Sequence, residues 1–231
     1  IFIPKGTYRF KSRANCVLTK NTELLFDPDA VVVLDTTINS QALTVDGVNL
    51  YSLRVSGGVF NAAAVANPDV GGNVGSVWDL NNLKAGRFSD SSYVAGDSFL
   101  DVKGDTAISA VNCHFLVITT NRFSGWYDNA VYLTGGNITP GQEDDGGPSI
   151  ITDNYFEYNG TAISLKRRNR HCIIVGNFFG RNYVDIGCYE VGAGEIQPGD
   201  RLTVSSNEFI GTVSRVFEPK GYGEYTFSNN T

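Results

Sequence analysis

Methionine is absent from this sequence of 231 residues, and histidine (2 residues), tryptophan (2) and cysteine (4) are scarce. No run of eighteen apolar residues occurs, so no segment has the composition of a membrane-spanning helix. Charged residues are few, at 18%, and the net charge of −6 argues against a nucleic-acid-binding protein, which needs a basic surface to neutralise phosphates. No segment keeps helical apolar periodicity over three turns. These absences indicate a globular chain without long helices.

The four cysteines show neither a CxxC spacing nor histidine partners at the spacing of a zinc site. We expect them to be buried thiols, with a disulfide between Cys172 and Cys188 as the alternative. The run Asp144-Asp145-Gly146 lacks the alternating oxygen ligands of a calcium loop. The sequence therefore predicts no cofactor and no metal site.

Short β-branched runs separated by glycine and asparagine fill the sequence, which is 42% hydrophobic and contains 26 glycines. This pattern is typical of an all-β chain. Within it recurs a unit of two or three β-forming residues, a short polar or small stretch, an asparagine, one variable residue and a phenylalanine. Its copies are 117–123, 150–156, 173–179 and 202–209, and a fifth begins at residue 225.

The asparagines at positions 121, 154, 177, 207 and 230 are separated by 33, 23, 30 and 23 residues. A base period of about 23 residues, lengthened twice by insertions, suits a coil of three short strands that pair in parallel with the next coil. Asparagine tolerates the left-handed conformation of a sharp turn, and the phenylalanine is expected to point inward and stack. We therefore predict a right-handed parallel β-helix. A β-sandwich is the alternative, although a sandwich has no reason to repeat Asn-x-Phe at one period.

Residues 1–231 are predicted to form a single domain. Residues 17–60 are interpreted as two coils, and the Gly-, Asn- and Ser-rich residues 62–98 as a long loop excursion that carries Trp78. Because residue 1 is not methionine and the chain ends inside the fifth copy of the repeat, we expect a β-helix truncated at both ends, part of a longer chain.

The first eight residues, Ile1-Phe2-Ile3-Pro4-Lys5-Gly6-Thr7-Tyr8, resemble the start of the first coil in β-helix proteins of the pectate-lyase superfamily. In those proteins a strand followed by Pro-x-Gly-x-Tyr leads from a capping helix into the solenoid, which would place that helix before residue 1. Bacteriophage tailspikes and tail appendages are the largest group of this kind. The resemblance implies a homotrimer, an extracellular location on the virion tail and a polysaccharide partner.

The sequence departs from the enzymatic members of that superfamily. The paired-Asp, Gly-His-Gly and Arg-x-Lys signatures of polygalacturonases are missing, and so is the Asp-His motif of pectate lyases. Any activity therefore has to come from a site of the tailspike type, which has no fixed motif.

Two acidic insertions flanked by glycine and proline follow the second strand of alternate coils, at 135–148 and 187–200. With coils about 4.8 Å apart, these loops would rise on either side of a basic turn, roughly 10 Å from each other. An inverting glycosidase needs an acid and a base about 6.5–9.5 Å apart, and cations would bind acidic sugars. The candidate catalytic residues are Glu143, Asp144, Asp145, Glu190 and Glu195, and the candidate sugar-binding cations are Lys166, Arg167, Arg168 and Arg170. The alternative is a set of solvated, salt-bridging loops.

A second candidate substrate-binding segment is Trp126-Tyr127-Asp128-Asn129, in the turn after the first Asn-x-Phe unit. Exposed aromatic rings stack on sugar faces, and an adjacent carboxylate binds hydroxyls or acts as an acid. Equivalent turns contain Tyr158 and Tyr183, so a stripe of tyrosines is expected along that side. The alternative is that Trp126 and Tyr127 cover the solenoid or a partner subunit.

The leading functional prediction is a phage tailspike or tail-appendage β-helix that binds bacterial surface polysaccharide, and that as an enzyme would depolymerise it by hydrolysis or elimination. One alternative is a non-catalytic receptor-binding or structural appendage. The other is a secreted microbial lyase or hydrolase that acts on plant or matrix polysaccharide. The sequence leaves open whether the protein is an enzyme.

Overall fold

The computed structural model describes residues 1–35, 42–65, 76–135, 138–139, 142–143, 146–166, 169–189, 199–219 and 222–231. Regular structure in these residues is almost entirely β-strand, and one short 3₁₀ helix, η1 (Phe99–Asp101), lies between two strands. Among the described residues there is no helix long and apolar enough to cross a membrane.

Most strands belong to three sheets, which we call A, B and C. Sheet A contains β1 (Phe2–Ile3), β4 (Thr22–Phe26), β7 (Ser52–Ser56), β10 (Ala85–Ser89), β13 (Leu116–Thr119), β18 (Ser149–Thr152), β21 (Cys172–Val175), β24 (Gly199–Ser205) and β27 (Tyr222–Ser228). Sheet B contains β2 (Gly6–Phe10), β5 (Ala30–Leu34), β8 (Val59–Asn61), β11 (Ser92–Val94), β14 (Arg122–Ser124), β19 (Tyr155–Glu157), β22 (Phe178–Gly180) and β25 (Glu208–Ile210). Sheet C contains β3 (Ala14–Val17), β6 (Leu43–Asp46), β9 (Trp78–Asn81), β12 (Thr106–Val111), β15 (Asn129–Thr134), β20 (Thr161–Lys166), β23 (Val184–Tyr189) and β26 (Arg215–Pro219).

Each coil contributes one strand to sheet A, the next to sheet B and the third to sheet C, and every strand pairs in parallel with the equivalent strand of the next coil. A small antiparallel hairpin of β16 (Ile138–Thr139) and β17 (Gln142–Glu143) lies outside the three sheets. This topology confirms the predicted right-handed parallel β-helix.

A column of asparagine amides closes the turn between sheets A and B. The side-chain nitrogen of Asn121 donates to Oδ1 of Asn154 at 3.1 Å, and Asn154, Asn177 and Asn207 each donate to the next asparagine at 3.0 Å, ending at Asn230. The same oxygens accept a backbone N–H, as from Asn154 to Asn177 at 3.0 Å. The predicted column is confirmed. Its geometry differs in one respect, because the residue before each asparagine has the left-handed conformation: Thr120, Asp153, Gly176, Ser206 and Asn229.

The phenylalanines of the repeat form a continuous stack in the core, as predicted. Phe123 and Phe156 have ring centroids 4.9 Å apart and nearly parallel planes, and the stack continues to Phe179 at 5.1 Å and Phe209 at 4.8 Å. In the other direction it extends to Tyr93 and Phe60, at 4.9 and 5.0 Å. Stacked rings bury large apolar areas and fix the registration of each coil on the next.

The prediction that residues 62–98 form a long excursion is wrong for residues 76–94. These residues contain β9, β10 and β11, which complete ordinary coils, and residues 66–75 lie outside the described part of the chain. Trp78 is buried and contacts Phe60 and Phe88 edge to face, each at 5.7 Å. The coil escaped detection because Ser91 occupies the ladder position and donates its backbone N–H to Asn121 in place of an asparagine.

All four cysteines are free. Cys113, Cys172 and Cys188 are buried, as predicted, whereas Cys16 is exposed, so the prediction of a buried thiol is wrong at that position. Burial raises the pKa of the Cys113 and Cys188 thiols to about 12, which keeps them protonated and unreactive.

We expect Asn177→Ala to lower the free energy of unfolding by about 2–4 kcal/mol, because it leaves several buried backbone and amide groups of neighbouring coils without partners. Urea denaturation followed by tryptophan fluorescence measures the change, since Trp78 and Trp126 are both buried. The matched control is Asn230→Ala at the end of the column, where the amide is half-buried and water can replace it. Equal effects of the two substitutions would show that the internal amides contribute nothing specific.

Candidate functional site

The predicted acidic insertions leave sheet C after β15 and β23, and the basic turn follows β20, the strand between them. This order agrees with the predicted alternation along one edge of the solenoid. Glu143 lies in β17, where only the backbone is described. The other predicted residues of the insertions and turn that fall outside the described part are Asp144, Asp145, Glu190, Glu195, Arg167 and Arg168. A catalytic groove between the insertions therefore stays a prediction.

Two cations of the basic turn are described. The ammonium of Lys166, at the end of β20, lies 5.0 Å from the centroid of the Tyr132 ring on the neighbouring strand of sheet C. Arg170 is exposed, and its backbone N–H donates to the carbonyl of Gly146 at 2.8 Å. The cation–π contact holds Lys166 over sheet C.

Trp126 cannot stack on a sugar, which corrects the prediction for this residue. Its side chain is fully buried, and the indole N–H donates to the carbonyl of Tyr93 at 3.2 Å. The backbone N–H of Trp126 donates to Oδ1 of Asn159 at 3.2 Å, so the residue closes the turn between sheets B and C. The open alternative, that Trp126 covers the solenoid, is the one observed.

A groove of about 520 Å³ runs along the edge between sheets B and C, across several coils. We call it the edge groove. It combines aromatic rings, carboxylates and one guanidinium around a floor of small and apolar residues. The lining residues are Phe99, Tyr127, Asp128, Gly160, Thr161, Tyr183, Val184, Ser214, Arg215 and Glu218. Tyr127 and Asp128 of the predicted substrate-binding segment thus face a cavity, together with Tyr183 of the expected tyrosine stripe.

One wall of the edge groove is the loop 95–105, which contains η1. The backbone N–H of Phe99 donates to the carbonyl of Tyr158 two coils away, at 2.9 Å, and the Phe99 ring lies 5.8 Å from that of Tyr183. The side chain of Ser98 caps η1 by accepting the backbone N–H of Leu100, and the backbone N–H of Ser98 donates in return to the carboxylate of Asp101. Beneath the loop a Cβ on Gly125 would come within 2.0 Å of the Gly96 carbonyl oxygen, so only glycine permits this contact. The loop is therefore docked on the solenoid.

Asp128, an exposed residue, is one of the two described carboxylates that line the edge groove. Partial desolvation by its neighbours raises the pKa of this carboxyl, while the positive charge of Lys166 and a hydrogen bond from Asn129 (2.7 Å) act in the opposite direction. A carboxyl whose pKa is raised in a cleft is the usual form of a general acid. Asp128 is therefore the candidate proton donor of the edge groove.

Arg215 and Glu218 form the far end of the edge groove. Their side chains are joined by an ion pair of 2.6 Å within β26, where the guanidinium is largely exposed and the carboxylate largely buried. An Arg–carboxylate pair presents both donors and acceptors, as a sugar with several hydroxyls requires. Sequence reasoning missed Phe99, Arg215 and Glu218 as site residues, because no local pattern shows that they share a cavity with Tyr127 and Asp128.

A second column of amides supports the floor of the edge groove. Nδ2 of Asn159 donates to Oδ1 of Asn182 at 2.9 Å, and Asn182 donates to the carboxylate of Asp185, also at 2.9 Å. Thr212 donates to the other oxygen of Asp185. Asp185 is fully buried, and this burial raises the pKa of its carboxyl to about 6, although both hydrogen bonds act to lower it.

No known family model matches this chain. A search of characterised proteins likewise gives no match. The relation to the pectate-lyase superfamily and to tailspikes therefore remains a resemblance carried by the first eight residues and by the fold.

Asp185→Asn is expected to stabilise the protein above pH 6 and to change little below pH 4. The folded pKa of about 6 exceeds the ordinary value of 3.8, so the proton is bound more tightly by the folded protein. The resulting stability is complete below about pH 4 and is lost as the pH rises through 6, a difference of about 3 kcal/mol. Asparagine keeps one oxygen to accept from Asn182, and its NH₂ can donate to the Thr212 hydroxyl, so the charge is removed while both partners stay bonded.

The measurement is urea denaturation of both proteins from pH 4 to pH 8. Asp153→Asn, at an exposed turn, is the matched control that should leave the pH profile unchanged. A profile for Asp185→Asn that runs parallel to that of the wild type would contradict the assignment.

Proposed function

We propose that the protein is a polysaccharide-binding β-helix of the phage-tail type, and that the edge groove holds a chain of bacterial surface polysaccharide. The observation that carries this proposal is the combination, in one cavity, of the rings of Tyr127 and Tyr183 with the carboxylates of Asp128 and Glu218. Aromatic faces pack against the C–H faces of sugar rings, and carboxylates accept hydrogen bonds from sugar hydroxyls. The groove is long because equivalent turns recur at every coil.

The rigid support of the groove favours a polymeric ligand. Its floor belongs to strands β20 and β23, which pair in parallel, and its wall is the docked loop 95–105. A site held on strands keeps its geometry without ligand, which lowers the entropy that binding costs. Repeated coils along the axis offer a repeating ligand successive equivalent positions.

We further propose that Asp128 protonates the glycosidic oxygen of a bound chain. Desolvation raises the pKa of its carboxyl, which favours the protonated form that a general acid needs, and the positive charge of Lys166 stabilises the carboxylate left after proton transfer. Glu218 is the candidate for the second carboxylate that a hydrolase needs. The alternative catalytic site lies in the two insertions, with the predicted residues Glu143, Asp144, Asp145, Glu190 and Glu195.

A non-catalytic receptor-binding appendage is the second candidate. The observation in its favour is that both carboxylates of the edge groove are already engaged, Glu218 with Arg215 and Asp128 with Asn129. Hydroxyl recognition needs no more than these groups. A homotrimer on an extracellular virion tail is proposed from the resemblance alone.

The proposal predicts that Tyr183→Ala weakens polysaccharide binding about tenfold, which corresponds to roughly 1.4 kcal/mol for one stacking ring. Binding is measured by titrating purified capsule or lipopolysaccharide of candidate hosts into the protein. Tyr158→Ala is the matched control, because that ring contacts Arg181 outside the groove lining. Equal losses in both variants would place the sugar elsewhere.

If the protein cleaves the chain, Asp128→Asn should slow cleavage by about 10²–10⁴-fold while binding is retained, as expected for loss of a general acid. Size-exclusion chromatography of the polysaccharide measures its shortening, with Asp153→Asn as the carboxylate control. Full cleavage by Asp128→Asn, together with loss in Glu143→Gln, Asp144→Asn, Asp145→Asn, Glu190→Gln or Glu195→Gln, would move the site to the insertions. Binding without any shortening would support the non-catalytic appendage.

A further inference from the structure

The outer face of sheet A carries two arginines side by side. Arg54 in β7 and Arg87 in β10 are register partners on neighbouring parallel strands, and both are exposed, while the residues on either side of them in each strand are buried. Their guanidinium groups therefore leave the same face at adjacent positions. Like charges so placed repel each other, and an anion bound between them would remove that repulsion.

No carboxylate in the described part of the chain forms an ion pair with either arginine. Glu23 lies beside Arg54, but on β4, the side of β7 that faces away from β10. Asp90 lies in the turn after β10, where a hydrogen bond from Thr120 is the main reason for its lowered pKa and the charge of Arg87 contributes less. Each arginine thus has an acidic residue nearby, Glu23 for Arg54 and Asp90 for Arg87, but neither guanidinium forms an ion pair with a carboxylate of the described residues.

An exposed aromatic ring lies next to the arginines. Phe115 directly precedes β13, its side chain is 63% exposed, and its backbone is left-handed with φ 45°. The exposure is unfavourable for a large apolar ring, whereas the left-handed backbone recurs in turns throughout the described residues. The Phe115 carbonyl accepts the backbone N–H of Gly86 at 3.4 Å, which ties this residue to the strand of Arg87.

The three side chains share one depression of about 210 Å³. Its other lining residues include Ser52 and Ala85, register partners whose small side chains leave space between the ring and the guanidinium groups. The volume is below the about 300–1,000 Å³ that is typical of a drug-sized ligand, and it suits a single ring. We call this depression the arginine site. It lies on sheet A, whereas the edge groove lies between sheets B and C.

We propose that the arginine site binds a carboxylated sugar residue, that is, a hexuronate unit of an acidic polysaccharide. The carboxylate lies between the guanidinium groups of Arg54 and Arg87, which donate paired hydrogen bonds to it. The C–H face of the sugar ring packs on Phe115, and the hydroxyl of Ser52 is available to a ring hydroxyl. The inference shares with the proposed function the premise of a polysaccharide ligand, but it concerns a different surface and different residues.

The test uses tetragalacturonate as the probe and maltotetraose, which lacks carboxylates, as the neutral comparison, both titrated calorimetrically into the whole chain. The wild type should bind tetragalacturonate, more weakly as NaCl is raised to about 0.3 M because the contact is ionic. Arg54→Ala and Arg87→Ala should each weaken binding about fivefold or more, and Phe115→Ala about threefold. Arg9→Ala, an exposed arginine of sheet B, is the matched control and should bind as the wild type does.

Four results would overturn the inference. The first is unchanged binding in both arginine variants, and the second is equal binding of maltotetraose. The third is an unchanged affinity in Phe115→Ala together with full displacement of tetragalacturonate by sulfate, and the fourth is that the substitutions change the oligomeric state and leave the affinity as it was. The third would indicate a simple anion site, and the fourth an interface between copies of the chain. Asp128→Asn and Tyr183→Ala separate the two proposals. If they abolish tetragalacturonate binding, the sugar occupies the edge groove and the arginine site fails alone. If they leave it intact while host polysaccharide does not bind, the proposed function fails alone.

Discussion

The structure depends on the hydrogen bonds between buried asparagine amides at the turn from sheet A to sheet B. Each internal amide accepts from the coil on one side and donates to the coil on the other, as Asn154 does between Asn121 and Asn177. A buried amide that loses these partners carries the full cost of desolvation. Coils can therefore stack only in the register that brings amide onto amide. The stacked core rings, the strand pairing and the position of every loop follow from that register.

The fixed register explains how short strands of little individual stability present a rigid surface. Strands of sheet B are only three residues long in most coils, yet their inward rings stack from Phe60 to Phe209 at about 5 Å. The turns between sheets B and C therefore also recur once in every coil, each directly above the last. Side chains of the candidate site that are far apart in sequence, such as Phe99 and Tyr183, thereby meet along one edge.

The two proposed ligand surfaces differ in whether their charged side chains are paired. In the edge groove the one described lining cation, Arg215, forms an ion pair with Glu218, which suits hydroxyl-rich sugars. At the arginine site two cations adjoin each other beside an exposed ring, which suits an anionic sugar. Beneath the edge groove the buried Asp185 lowers stability at neutral pH, and the amides and hydroxyl around it only partly offset its desolvation.

The repeated Asn-x-Phe unit was sufficient to predict the fold, the amide column and the aromatic stack, because a period of about 23 residues is a local property of the sequence. The same reasoning placed Tyr127 and Asp128 in a candidate site. It failed for the coil at 76–94, where Ser91 replaces the asparagine, and for Trp126, since a turn residue gives no local sign of whether it points inward. Glu218, Arg215 and the pair of Arg54 and Arg87 became visible only in the tertiary structure. Their neighbours come from coils about thirty residues or more away, and only the stacking of coils decides which side chains share a surface.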